Sequence, residues 1–131
     1  MQTLESLEKM MGESPCNETE VTSGFLQVVF GTKRLVIQSA WRIVRGDEII
    51  VASDSNADGF DTGAAALCNT TVDRVEVSAP FHDIEVRFSN GILLQSFADS
   101  ETYEHWYFFR APNDMIIAGP SELWSVFSPS D

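Results

Sequence analysis

Asp54-Ser-Asn56-Ala-Asp58-Gly59 sets three oxygen-bearing side chains two residues apart and closes on a glycine. That spacing supplies positions one, three and five of a calcium loop, with the glycine at six where the chain turns sharply around a hard cation. The second half departs from the pattern, because Ala65 falls at position twelve, where a bidentate Glu would complete the shell. Two readings follow: an irregular, weak calcium site built from Asp54, Asn56, Asp58 and Asp61, or a polar Asp/Asn/Gly loop on the surface.

Other chemistry finds less support. Zinc asks for cysteines and histidines at short ligand spacing, and Cys16, Cys68, His82 and His105 stand far apart without a Cys-x-x-Cys pair. His82 beside Asp83 and His105 beside Glu104 give no acid–base dyad, since neighbours on a strand face opposite ways. His82 is expected at a strand start and His105 on the outer side of a short helix. No nucleophile elbow and no phosphate-cradling glycine loop are present, so no catalytic residue and no cofactor are nominated.

Twenty acidic residues against eight Lys and Arg give a formal net charge of -12. Such a surface repels nucleic-acid phosphates and anionic lipid and attracts basic partners. Four of the cations, Lys33, Arg34, Arg42 and Arg45, gather in one stretch, which reads as a polar sheet face or an anion-binding patch. The start Met-Gln-Thr-Leu-Glu lacks the basic and apolar regions of a secretory signal, so a cytoplasmic protein with reduced thiols is expected. On that footing the Asn17-Glu-Thr and Asn69-Thr-Thr acceptor patterns and the Arg45-Gly46-Asp47 tripeptide are chance matches. No apolar run approaches the roughly 20 residues that span a bilayer.

The elements that must position these residues are mostly strands. Leu4, Leu7 and Met11 recur at helical spacing and predict a helix over 3–11, followed by a linker; residues 1–23 are thus read as helix plus linker and 24–131 as one β-rich domain. Phe25 to Phe30 and Leu35 to Ile37 flank Gly31-Thr32, and Trp41 to Arg45 and Glu48 to Ala52 flank Gly46-Asp47, giving two hairpins. Val72 to Val77 is a further strand. Asn90-Gly91 between Phe81–Ser89 and Ile92–Phe97 suits a type I′ hairpin turn. Asp99 can cap a helix of about two turns carrying Tyr103, Trp106 and Tyr107, and strands return at Tyr107–Arg110 and Met115–Ala118. The expected fold is α+β: a curved, mainly antiparallel sheet of about six to eight strands with an N-terminal and a short C-terminal helix, the alternative being a β-sandwich.

The stretch Ile92-Leu-Leu-Gln-Ser-Phe-Ala-Asp-Ser-Glu-Thr-Tyr-Glu-His-Trp-Tyr107, with Ala118-Gly-Pro120, resembles the C-terminal part of small uncharacterised bacterial proteins, some of them candidate immunity proteins found beside polymorphic toxins. The resemblance implies a stand-alone bacterial domain that masks a basic partner, and it transfers no catalytic residue. A non-enzymatic protein-binding module with an acidic surface is therefore the leading expectation. A calcium- or small-molecule-binding domain and an enzyme whose residues converge only in space are the alternatives.

Overall fold

The computed structural model describes residues 2–23, 25–53, 62–78, 80–98, 105–110, 114–118 and 123–126 of the 131. It opens with helix α1 (Gln2–Gly12), followed by strands β1 (Glu18–Thr22), β2 (Phe25–Phe30), β3 (Lys33–Ile37), β4 (Ala40–Arg45) and β5 (Glu48–Ala52). A one-turn 3₁₀ helix η1 (Ala65–Leu67) precedes β6 (Val72–Ser78), β7 (Asp83–Phe88), β8 (Ile92–Phe97), β9 (Trp106–Arg110), β10 (Asp114–Ala118) and β11 (Leu123–Val126). The strands form two antiparallel sheets, a first in the order β1-β2-β3-β9-β10-β11 and a second in the order β5-β4-β8-β7-β6.

Alternation explains why these segments share one interior. Leu26, Val28 and Phe30 on β2, Leu35 and Ile37 on β3, and Trp106 and Phe108 on β9 face inward from the first sheet. From the second sheet come Trp41 and Ile43, Val75, Ile84, Val86 and Phe88, and Ile92 and Leu94. Phe30 and Phe88 stack across the gap with centroids 6.4 Å apart, so the two inner faces meet as one core.

Helix α1 lies along β6, the outer strand of the second sheet, and adds Leu7, Met10 and Met11 to the core. Its Glu8 carboxylate accepts the Val75 N–H at 2.9 Å, satisfying a donor that β7 does not reach. Gly63 packs closely on β5: a Cβ there would stand 2.5 Å from Val51 Cβ, so glycine is the residue that lets the chain pass.

The mainly antiparallel, helix-poor α+β architecture matches the expectation from sequence, with its strands divided between two sheets. Three local details differ. Glu18–Thr22 is an edge strand paired with β2, where a linker is expected, because its Thr19 and Val21 meet Val28 and Leu26 in register. Trp106 and Tyr107 belong to β9, opposite Ile37 and Val36 of β3, and residues 99–104 of the expected helix lie outside the described residues. The Asn90-Gly91 turn is a three-residue loop: Gly91 N–H returns to the Phe88 carbonyl at 3.0 Å, and of the two residues only Gly91 has positive φ, at 85°. This is a type I turn closed by a left-handed residue instead of a type I′ turn, which would need both residues at positive φ. Among the described residues no helix is long and apolar enough to cross a membrane.

Candidate functional site

The chain crosses between the two sheets at one end of the molecule, and that end gathers polar side chains that sequence spacing leaves apart. Gln38 and Ser39, the two residues joining β3 to β4, both donate their backbone N–H to the His105 carbonyl, at 2.9 and 3.1 Å. His105 precedes β9 and is fully buried, its Nδ1 lying 3.2 Å from the Phe81 carbonyl. Next along the chain, Trp106 donates Nε1–H to the His82 carbonyl at 2.8 Å. The turn between β6 and β7 is thereby bolted to the start of β9.

His82 itself is held at φ 60°, a left-handed backbone that costs a non-glycine residue about 1–2 kcal/mol. The turn is closed by its N–H, which donates to the Ser78 carbonyl at 2.8 Å. Below it, Ser96 Oγ accepts the Ile84 N–H at 3.0 Å and Asp83 accepts the Ala98 N–H at 2.7 Å. Among the described residues two buried side-chain atoms, His82 Nδ1 and Ser39 Oγ, have no hydrogen-bond partner. Strain and unsatisfied groups together mark this end as the place where local structure yields to something other than stability.

On its surface Phe25 and Phe81 are exposed, at 47% and 54%. Phe25 stands opposite Thr22, whose hydroxyl donates to the exposed Glu20 at 2.8 Å, and Phe81 lies two residues from Asp83. The third exposed large apolar residue among those described, Ile49 at 56%, follows Asp47 and Glu48 at the far end of the molecule. Among the described residues, each exposed large apolar side chain therefore has a carboxylate close by in sequence or register.

Cations do not cancel these carboxylates evenly. Lys33, almost fully buried at the start of β3, forms an ion pair with Glu13 at 3.0 Å, and its ammonium holds the Glu13 carboxyl below the usual 4.5. Arg74 pairs with Glu76 on its own strand. Arg42 donates to Gln95 at 2.7 Å and lies over the Phe97 ring, while Gln95 in turn donates to Glu85, a ladder running across β4, β8 and β7. Arg34 bonds Gln27. Of the cationic stretch read from sequence, only Lys33 is thus spent on a carboxylate, while Arg34 and Arg42 bond neutral amides and Arg45 is exposed.

Of the residues nominated for metal, Asp54, Asn56, Asp58 and Asp61 lie outside the described residues. Among the described residues no three His, Cys, Asp or Glu side chains are grouped to hold an ion. His82 is a turn residue and His105 an interior one, not the exposed helix position expected for it, because it leads into β9 against the β3–β4 crossover. Sequence reading missed that these two histidines share one site; a turn residue with nothing left-handed about its type gave no signal. Arg45-Gly46-Asp47 ends β4 in a tight turn, as its composition suggests. Scans against family models, curated proteins and solved structures return no match to the chain.

Proposed function

We propose that the protein is a non-enzymatic, protein-binding module, immunity- or adaptor-like, that docks a basic partner on the crossover end. One observation carries the reading: the exposed large apolar residues among those described each have a carboxylate near in sequence or register, and two of them, Phe25 and Phe81, flank the same end. Apolar anchors bury area and fix the complex, while surrounding carboxylates steer a positively charged partner and reject acidic ones. A net charge of -12 extends that steering over a Debye length of about 8 Å at physiological salt.

The test compares the native chain with a Phe25→Ser, Phe81→Ser double variant as bait at low and high salt, with circular dichroism to establish that both fold. A basic protein retained by the native chain, released by salt and lost by the variant supports the proposal. Identical capture by both baits, or no basic protein held at low salt, overturns it.

A further inference from the structure

Cys16 and Cys68 lie far apart in sequence, yet the fold puts them side by side at the end opposite the crossover. Asn69 N–H donates to the Cys16 carbonyl at 2.8 Å and Cys16 N–H donates to the Thr70 carbonyl at 2.7 Å. Two residues thus oppose one, the first of them at φ 67°, which is the hydrogen-bond pattern of a G1 bulge with asparagine in the glycine position. That bulge fixes the segment leading into β1 against the segment leading into β6, and Cys68 immediately precedes it. The Cys16 thiol is fully buried and lies 3.6 Å from the Glu18 carbonyl, with the Cys68 side chain as its neighbour. Both are free cysteines, and Cys68 is the one with solvent access.

We propose that Cys16 and Cys68 are a redox pair that closes reversibly into a disulfide, with a small disulfide of the glutathione class as oxidant. Cys68 attacks that disulfide, forming a mixed disulfide and releasing one thiol. Cys16 then loses its proton and attacks the Cys68 sulfur, forming the Cys16–Cys68 bond and releasing the second thiol, which takes up a proton. Two protein thiols are oxidised and one external disulfide is reduced to two thiols. Burial, and next the neighbouring Cys68, push the Cys16 thiol up to about 12, so the second step is the slow one. The bulge already holds the backbone in place, so closure demands little rearrangement, and the bond ties the start of one sheet to the start of the other.

Full-length protein equilibrated in glutathione buffers of increasing oxidation, then alkylated, unfolded and mapped by mass, tests the pair. The expected result is joint loss of both thiols with one peptide link between them, a raised thermal midpoint, and recovery of both on reduction. The rate of closure should rise by about tenfold per pH unit while Cys16 stays mostly protonated. Cys16→Ala should stop at a glutathione adduct on Cys68, and Cys68→Ser should leave Cys16 unmodified. A native chain that stops at the Cys68 adduct with Cys16 still alkylated after unfolding, or that oxidises only once denatured, overturns the proposal. The native-chain map decides the matter even if a variant does not fold.

Discussion

The two ends of this molecule close the same core by opposite means. At the end with η1, backbone and side chain answer each other: Ser89 N–H reaches the Thr71 carbonyl, Thr71 N–H reaches Ser89 Oγ, Gly31 N–H reaches Asn17, and Asn90 donates to Ala66. At the crossover end a histidine stands in a left-handed turn and two buried polar atoms go unanswered. One end is built to hold and the other keeps unspent polarity beside exposed phenylalanines. Left-handed residues occur at both ends, His82 at one and Asn69 at the other, so it is the unanswered polar atoms that set the crossover end apart.

The contrast is broken most severely at the holding end. Phe88→Ala removes a ring stacked on Phe30 from the centre of the core and should cost about 3–5 kcal/mol in urea unfolding. A paired test sharpens it at the crossover: Ser96→Ala strips the partner from the Ile84 N–H and should cost about 1–3 kcal/mol. Ser39→Ala, by contrast, removes a buried hydroxyl that has no partner and should leave stability unchanged or raised. Equal losses for the two serines would mean that the Ser39 hydroxyl is not the unpartnered group it is taken to be.

A smaller effect is pH-dependent. Because Lys33 lowers the Glu13 pKa in the folded chain, the unfolded chain takes up the proton first as pH falls. The pair's contribution is therefore whole above the ordinary 4.5 and is lost as pH drops through the lower folded value. Solvent reaches the half-exposed Glu13, so Glu13→Gln should cost only about 1 kcal/mol at neutral pH and flatten the acid limb of the stability curve. Smallest of all, His82→Gly should raise stability by up to about 1 kcal/mol, strain relief being partly offset by a more flexible unfolded chain. A clear loss on that substitution would mean that the histidine is there for the fold.

Hairpins were legible because their signals are local: alternation on both sides of Gly31-Thr32, Gly46-Asp47 and Asn90-Gly91 marks strands that pair with their neighbours in sequence. Division into two sheets was not, since it turns on Gln38 and Ser39, two residues whose types say nothing about which sheet comes next. Edge strand β1 hid for a related reason. Glu-Thr-Glu-Val-Thr has little apolar content to alternate, and its pairing is set by β2. The candidate site fared similarly: His82, His105 and the two cysteines were each identifiable as reactive types, but what unites them is a crossover and a bulge between distant segments. Phe25 stands out of phase with Leu26, Val28 and Phe30, so its outward placement follows the alternation, whereas the exposure of Phe81, ahead of β7, has no sequence signature.

The Glu8 carboxylate on Val75 gives the N-terminal helix a role beyond filling space. With α1 in place, β6 ends its sheet against a helix; without it, a strand with unused hydrogen bonds would be left open to the strands of other molecules. Proteolytic removal of the first dozen residues should therefore open the β6 edge to pairing with strands of other molecules. A helix of three turns would in that sense guard one sheet edge, while β1, β11 and β5 end their sheets without it.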